Sequence, residues 1–323
     1  MATRPFRFSM QSFMAESATE WRDRARKAED LGYSTLQLAD HFLGPGAALA
    51  ETNHPPQSLS AIPAIAAAAA ATSTIRVGCR VFCVDYHVPA VFAHQMATLD
   101  VLSEGRLEMG LGSGWIKNEY LSSGIAFDAP AVRTDRLGEV VELLKAHMGS
   151  GEISIDGKFL QVQGYEGCPK SIQKPHPPIM IGGGSERILK LAGRVADIVS
   201  FNYNNRAGML GPDGVRMSTA EETRRKLAWV KEGAGDRFDE IELEIGAYQT
   251  MVGAGDDMAQ AMADAVGLSL EEMKRHPHSL FGSVEEICDE LVRRREEYGI
   301  SYINVMDQTF EAFAPVVARL AGT

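Results

Sequence analysis

Residues 6–40, FRFSMQSFMAESATEWRDRARKAEDLGYSTLQLAD, contain one complete strand–helix–strand unit. Apolar residues in 6–13 and again in 35–39 predict two strands. Between them, Ser17-Ala-Thr-Glu20 has the residues of a capping box and predicts the start of a helix. Gly32 predicts its end, because glycine readily adopts the left-handed conformation that closes helices. Strands joined through a helix in this way are parallel, since parallel neighbours need a crossover connection.

The same alternation continues to the end of the chain. Further strands are predicted at 75–84, 106–111, 179–181, 198–201, 241–252 and 302–306, with helical patterns between them. Residues 151–175 predict a small hairpin or excursion. Eight strand–helix pairs predict an α/β fold, a closed (β/α)8 TIM barrel that occupies 1–323 as one domain, with an open, doubly wound sheet as the alternative. Insertion loops at the C-terminal face are expected to shape a substrate pocket, at 43–58, 203–217 and 253–282.

The composition narrows the class of protein. The 323 residues include 32 Lys and Arg against 43 Asp and Glu, and the net charge of −11 argues against a general nucleic-acid binder. The first residues lack the apolar run of a signal peptide, and the longest apolar run, 61–71, is too short to cross a membrane. Four cysteines without the spacing of a zinc site or a redox dithiol are expected to be reduced thiols. We therefore expect a cytoplasmic protein.

In such a barrel the active site lies at the carboxyl ends of the strands. The residues that follow the predicted strands are Ser12, Asp40, His41, 80–83, 112–118, 182–185, Asn202 and Asp307. His41 is a candidate for acid–base chemistry, because histidine titrates near neutral pH. The alternative is a buried, structural His41 that Asp40 orients.

Two glycine-rich segments follow predicted strands. Gly182-Gly-Gly-Ser185 precedes a predicted helix, whose N-terminus carries partial positive charge and free N–H groups. We therefore favour phosphate binding here over a tight turn with a serine cap. Gly110-Leu-Gly-Ser-Gly114-Trp115 resembles a dinucleotide fingerprint only superficially, because its third glycine is misplaced. Its glycines are better suited to a flat ring or a tail that passes close to the backbone.

Three further motifs favour ordinary structural roles. Arg80, at the end of the third strand, is expected to be an ion-paired arginine of the barrel interior. His54-Pro-Pro56 and His276-Pro-His278 predict loop surfaces rather than metal sites, because no third ligand is placed nearby in the sequence. We expect no metal.

Several segments, in order along about residues 6–306, resemble one family. They are Ala28-Glu-Asp-Leu-Gly32; Leu38-Ala-Asp-His-Phe42; Pro89-x5-Gln95-x3-Leu99-Asp100; Ser103-Glu-Gly-Arg106 with Gly110-Leu-Gly-Ser-Gly-Trp115; Pro175-His-Pro-Pro178 with 182–184; and Phe281-Gly-Ser-x-Glu-Glu-Ile287. The chain resembles the luciferase-like monooxygenase superfamily, in its deazaflavin (F420)-dependent oxidoreductase branch. The resemblance implies a TIM barrel with a flavin-type cofactor over the strand ends, and a homodimer.

The resemblance also implies roles for particular residues. Asp40 and His41 would lie beside the reactive ring, where His41 donates a hydrogen bond or shuttles a proton. Arg80 and Val81 would form a bulge behind the ring, usually with a non-proline cis peptide bond. The other cofactor contacts would come from Cys83, Gly114, Asn118, Gly183, Gly184 and Ser185, of which the last three would hold the phosphate. The substrate pocket would include Ser12 and Trp115.

Trp115 departs from the family's pattern, because sugar-phosphate dehydrogenases of this branch carry a glutamate acid/base at this position. A tryptophan cannot exchange a proton with substrate, but it gives a flat apolar wall suited to a hydrophobic or aromatic substrate. We expect hydride transfer between coenzyme F420 and such an organic substrate. The alternatives are a two-component monooxygenase that uses reduced FMN, and a non-catalytic cofactor carrier or sensor.

Overall fold

Eight parallel strands form a closed barrel in the computed structural model, which describes residues 4–205 and 208–323. The strands are β1 (Arg7–Ser12), β2 (Thr35–Leu38), β3 (Arg76–Cys79), β4 (Leu107–Gly112), β5 (Ile179–Gly183), β6 (Ile198–Phe201), β7 (Glu242–Gly246) and β8 (Ile300–Met306). Each strand pairs with the next, and the ring closes where β8 pairs with β1, with Arg7 opposite Tyr302. The predicted (β/α)8 barrel is therefore confirmed, and the alternative of an open sheet is wrong.

In the described part of the chain, eight helices surround this barrel, one after each strand. They are α1 (Ala18–Asp30), α2 (Ala61–Ala71), α3 (Pro89–Leu102), α4 (Pro130–Met148), α5 (Glu186–Val195), α6 (Ala220–Ala234), α7 (Val284–Tyr298) and α8 (Phe310–Leu320). Ser17 caps α1 by accepting from the Glu20 N–H at 3.1 Å, but the Glu20 carboxylate accepts from Glu16 rather than from Ser17. The capping box predicted there is thus only half formed, whereas Ser283 and Glu286 form a complete one at α7.

The core has an apolar outer layer and a polar centre. Between strands and helices, Phe8 packs on Phe313 with ring centroids 5.8 Å apart. Inside the barrel, Arg7 forms ion pairs with Glu108 at 2.8 Å and Glu242 at 2.7 Å. Tyr302 donates to Glu108 at 2.9 Å. This network lies at the amino-terminal end of the barrel, where a cavity of about 340 Å³ remains beside Arg7, Glu108 and Glu242.

Two predicted strands are each divided in two. The predicted strand at 75–84 is interrupted by a cis peptide bond between Arg80 and Val81, after which Phe82–Cys83 pairs with β4. The predicted strand at 241–252 is also divided: the chain leaves the barrel after β7, and Gln249–Val252 pairs with Ser279–Gly282 in a separate parallel sheet. Gly246 is the last residue of β7 before this exit. No larger residue fits there without a shift, because a Cβ would come within 2.7 Å of the Arg80 guanidinium.

The long connections carry small elements of their own. The hairpin predicted within 151–175 is present as Ile153–Asp156 and Gln161–Tyr165. The predicted loop at 203–217 contains a short helix, Pro212–Arg216. Residues 206–207 of this loop lie outside the described part of the chain. Other short helices are Ala47–Ala50, Val84–Tyr86, Lys117–Ser123, Gly235–Glu240, Asp256–Val266 and Leu270–Lys274. Within 4–205 and 208–323, no helix combines the length and apolarity needed to cross a bilayer.

Candidate active site

A cavity of about 1440 Å³ opens at the carboxyl ends of the strands. Ten of the twelve predicted site residues line it: Asp40, His41, Arg80, Val81, Cys83, Gly114, Trp115, Gly183, Gly184 and Ser185. They come from the ends of four strands and the turns that follow them, as expected for a barrel of this kind. The lining runs from His41 and Trp115, which follow β2 and β4, to the N-terminus of α5, which follows β5.

The other two predicted residues, Ser12 and Asn118, do not reach the cavity lining. The Ser12 hydroxyl is buried and donates to Asp307 at 2.7 Å. Asn118 turns away from the cavity and donates to the Ala48 carbonyl at 3.1 Å and to Glu51 at 2.8 Å. Successive helix positions differ in direction by about 100°. In the short helix Lys117–Ser123, Asn118 therefore points away from the cavity, and the side chain of the next residue points inward.

That next residue, Glu119, was missed by the sequence analysis. Its carboxylate is fully buried and accepts from His41 Nδ1 at 2.7 Å. It also accepts from the Tyr86 hydroxyl at 2.8 Å and from the Phe42 N–H at 2.7 Å. Burial would raise the pKa of Glu119, but the hydrogen bond and positive charge of His41, followed by the other two donors, outweigh it and lower this pKa. A carboxylate charge is thus fixed directly behind His41.

Asp40 does not orient His41, so that interpretation of the residue pair is wrong. The Asp40 carboxylate accepts instead from the Cys83 N–H at 3.0 Å and from His87 Nε2 at 2.8 Å. Neighbours at the end of a strand point to opposite sides, which sends Asp40 and His41 to different partners. One signal for Glu119 was available in the sequence: an acid beside Tyr120 and three residues after Ile116, on the apolar face of a short helix.

His54 is a second histidine at this end of the cavity. Its ring centroid lies 4.3 Å from that of His41, 5.7 Å from Trp115 and 5.4 Å from Phe13. Burial, and then the positive charge of His41, lower the pKa of His54 to about 3, so its ring is neutral at pH 7. The predicted loop is present, with Asn53 and Pro55 exposed, but the His54 ring itself is partly buried and lines the cavity. We call His41, His54 and Glu119 the histidine cluster.

Behind the centre of the cavity, Arg80 is the ion-paired interior arginine that the residues alone predicted. Its Nε donates to Glu244 at 2.9 Å, and Nη2 donates to Asn202 at 2.7 Å and to Ser200 at 3.1 Å. Burial would lower the pKa of Arg80, but the attraction of Glu244 outweighs it and raises this pKa. The guanidinium is therefore a structural brace with its charge already neutralised.

Val81 provides an apolar surface at the centre of the cavity. The cis peptide bond that the resemblance implied precedes it. A Cβ at Gly112 would come within 2.5 Å of Val81 Cγ2, and one at Gly114 within 2.8 Å of Cys83 Sγ. Gly114 also has φ +71, a left-handed conformation. These glycines therefore let the backbone of the cavity wall pack closely on Val81 and Cys83.

Gly182–Ser185, which we call the glycine cradle, joins β5 to α5. A Cβ at Gly183 would come within 2.2 Å of Ile188, and one at Gly184 within 2.6 Å of the carbonyl oxygens of Asn202 and Tyr203. Close packing therefore requires these glycines. Ser185 occupies the N-cap position of α5 without a side-chain cap hydrogen bond among the described residues, which counts against the alternative of a serine cap. The helix N-terminus and the Ser185 hydroxyl remain available for an anion such as phosphate.

His276 and His278, predicted on a loop surface, are buried instead. His276 Nε2 donates to the Val215 carbonyl at 3.0 Å, and His278 Nδ1 to the Gly246 carbonyl at 2.8 Å. The prediction of exposure failed because the chain between β7 and α7 folds back, where Arg294 donates to the His276 carbonyl at 3.1 Å. Across 4–205 and 208–323, no three His, Cys, Asp or Glu residues are grouped to hold a metal ion.

Comparisons with known proteins agree with this architecture. A coenzyme F420-dependent tetrahydromethanopterin reductase from Methanopyrus kandleri has the same fold. The TM-score is 0.73 at 20% identity, over 98% of both chains. An F420-dependent glucose-6-phosphate dehydrogenase of Amycolatopsis mediterranei (strain U-32) is 26% identical over 292 residues, 88% of this chain and 80% of that protein.

Two further relatives match shorter parts of the chain. An uncharacterized protein of Mycobacterium bovis (strain ATCC BAA-935 / AF2122/97) is 32% identical over 186 residues, 54% of this chain and 64% of that protein. An FMNH2-dependent dimethylsulfone monooxygenase of Pseudomonas putida is 33% identical over 133 residues, 41% of this chain and 37% of that protein. The family model for luciferase-like monooxygenases matches residues 3–297. The chain belongs to the luciferase-like monooxygenase family, as its motifs predicted.

Proposed function

We propose that this chain is an oxidoreductase that moves a hydride between coenzyme F420, a deazaflavin, and an organic substrate with a largely apolar body. The observation that carries the proposal is the pair formed by His41 and the buried Glu119, at the end of a cavity that reaches the N-terminus of α5. The likeness to an F420-dependent dehydrogenase over 88% of the chain supports the choice of coenzyme.

The cavity residues suit a planar ring that carries a phosphorylated tail. Val81, Gly112 and Gly114 would lie against the ring, and the glycine cradle would hold the phosphate at the N-terminus of α5. When bound, a deazaflavin supplies a ring carbon that accepts or gives a hydride. The task of the protein is then to orient the substrate and to handle one proton.

His41 is the residue that we assign to the proton. Because the Glu119 carboxylate only accepts, His41 Nδ1 carries a hydrogen, and Nε2 is the nitrogen left for a ligand in the cavity. Glu119 also holds the orientation and tautomer of the His41 ring, as a carboxylate does behind a catalytic histidine. Trp115 cannot exchange a proton, and the His41–Glu119 pair supplies that capacity. We therefore favour catalysis over a cofactor carrier or sensor.

The surroundings of His41 favour an uncharged substrate. Trp115, His54 and Phe13 form an aromatic wall. Among the described lining residues, the cations other than Arg80 and Arg133 are Arg187, Lys190 and Arg194, which belong to α5 at the opposite end. Arg133 donates to the Ser113 and Asp128 carbonyls, so its guanidinium is engaged. Among the described residues, a sugar phosphate would find no available cation beside the histidine cluster, so we favour a hydrophobic or aromatic substrate.

A monooxygenase that uses reduced FMN is the second candidate. The likeness to an FMNH2-dependent monooxygenase at 33% identity over 133 residues favours it. The glycine cradle suits an FMN phosphate as well as that of a deazaflavin.

The deciding experiment is a pair of fluorescence titrations of the full chain, one with F420 and one with FMN. We expect F420 to bind more tightly, and inorganic phosphate to compete with it at the glycine cradle. Tighter binding of FMN, together with oxygen consumption in the presence of a flavin reductase, would overturn the deazaflavin proposal in favour of the second candidate.

A further inference from the structure

Lys226 is a buried cation that the proposed function does not use. It lies on α6 and is 1% exposed. Its Nζ donates to the Asn202 carbonyl at 2.9 Å and to the Ser218 hydroxyl at 2.8 Å, and both of these partners are uncharged. Glu222, the acid whose charge reaches Lys226, forms its ion pair with Arg225 at 3.2 Å. Among the described residues, Lys226 therefore carries a buried charge without a counter-ion of its own, an arrangement that costs free energy.

The Asn202 carbonyl connects this charge with the glycine cradle. A Cβ at Gly184 would come within 2.6 Å of the Asn202 and Tyr203 carbonyl oxygens, so both oxygens pack directly on the cradle. The Asn202 N–H also donates to the Gly183 carbonyl at 2.9 Å, which ties the two segments together. A single carbonyl group thus lies between the Lys226 ammonium and the cradle.

This placement matters for an anion at the cradle. Carbonyl oxygens carry partial negative charge and repel an anion held beside them. A positive charge that is hydrogen-bonded to one of these oxygens offsets the repulsion, and its field is only weakly screened in the protein interior. The anion in turn supplies the counter-charge that Lys226 lacks. Resting on the glycine cradle as the phosphate site of the proposed function, we propose that Lys226 supplies the charge that makes the cradle bind a phosphate dianion, without touching that dianion.

Anion binding is then coupled to the protonation of Lys226. Burial lowers the pKa of Lys226 to about 8, partly offset by the charge of Glu222. A bound anion stabilises the ammonium form and so raises this pKa. Below pH 8 the ammonium form is present with or without the anion, and the affinity is highest there. The affinity falls as the pH rises through 8, because the ammonium form is lost from the unbound chain first.

Other ionisable groups surround Lys226 but titrate elsewhere. They are Glu222, Tyr203, His276, His278 and Arg294. Burial lowers the pKa of His276 to about 4 and that of His278 well below its ordinary value, and burial raises the pKa of Tyr203. The ordinary pKa ranges of glutamate and arginine lie far from 8. A change of anion affinity near pH 8 that depends on Lys226 therefore reports on its charge.

The test is calorimetry of sulfate binding to the full chain between about pH 7 and 9.5, on either side of the pKa of Lys226. Sulfate is a dianion throughout this range, so its own charge causes no pH dependence. Lys226→Met removes the charge but keeps an unbranched side chain, and Ser218→Ala removes one hydrogen bond but keeps the charge. Lys231→Met is the matched control, because Lys231 is an exposed lysine of α6 outside the cavity lining.

We expect Lys226→Met to bind sulfate about tenfold more weakly at pH 7, as for the loss of a partly screened charge. In the wild type, the affinity should fall towards that of Lys226→Met as the pH rises. Near pH 8, wild-type binding should take up as much as about half a proton per sulfate, seen as a dependence of the binding heat on the buffer. This uptake should vanish in Lys226→Met and persist in Ser218→Ala and Lys231→Met. A purely structural lysine would cause no such uptake.

Equal affinity and equal proton uptake in the wild type and in Lys226→Met would overturn the role of Lys226. If urea unfolding shows that Lys226→Met does not fold, the proton uptake of the wild type decides alone, and its absence would overturn the role.

Sulfate that does not bind, or that a bound coenzyme fails to displace, would overturn the cradle as an anion site and the role of Lys226 with it. Failure of both F420 and FMN to bind is a separate result that overturns the proposed function. In that case the proton uptake on sulfate binding still decides the role of Lys226.

Discussion

The two ends of the cavity are built in different ways. The glycine cradle is one run of four residues, Gly182–Ser185, and the adjoining helix α5 begins directly after it. The histidine cluster joins residues that follow β2 and β4 with one from the loop between β2 and α2. The glycine cradle is therefore defined by local backbone geometry, whereas the histidine cluster depends on side chains that meet only after folding. The two ends should therefore respond differently to substitution.

The largest effect is expected at the histidine cluster. Replacement of His41 by Ala removes the proton-handling group and should lower kcat by roughly 10²- to 10⁴-fold. The affinity for coenzyme at the glycine cradle should change little, because the two ends are separate. Turnover is measured with the substrate that the wild type converts fastest in a screen of apolar compounds, and coenzyme affinity by fluorescence. Wild-type turnover in this variant would show that His41 does not handle the proton.

At the glycine cradle, the expected loss is one of packing. Gly184→Ala would place a Cβ within 2.6 Å of the Asn202 and Tyr203 carbonyl oxygens. We expect the free energy of unfolding to fall by about 1–3 kcal/mol, as in other overpacked sites. Gly44→Ala is the control, because nothing lies within 4 Å of the Cβ it would add. Equal stability of the two variants in urea unfolding would contradict the tight packing.

The sequence predicted the glycine cradle better than the histidine cluster. The cradle is a contiguous glycine motif between a strand and a helix, so pattern alone located it. Glu119 and His54 meet His41 from 78 and 13 residues away along the chain, and no local spacing encodes that contact. The same limit explains the errors at Asn118, where one helix position decides the direction, and at His276, where a loop folds back. The order of the eight strands followed from repeated units, which are local.

The third prediction concerns the pH dependence of stability that His54 of the histidine cluster causes. The pKa of His54 is lowered to about 3 in the folded chain, while the unfolded chain has an ordinary value of 6.5. The unfolded state therefore binds more protons below pH 6.5, and stability that is present above 6.5 is lost as the pH falls towards 3. His54→Phe should remove up to about 1.4 kcal/mol of this loss per pH unit. If the free energy of unfolding changed with pH equally in the wild type and in His54→Phe between pH 6.5 and 4.5, this expectation would be contradicted.

The smallest effect is expected from Ser185→Ala at the glycine cradle. Because the Ser185 side chain makes no cap hydrogen bond, its removal should leave the free energy of unfolding within about 0.5 kcal/mol of the wild type. If the hydroxyl donates to a bound phosphate, coenzyme should bind roughly two- to tenfold more weakly, the contribution of one hydrogen bond. Urea unfolding and fluorescence titration measure the two quantities. A loss of stability with unchanged affinity would identify Ser185 as an ordinary helix cap, and the phosphate would then have to be held by backbone N–H groups alone.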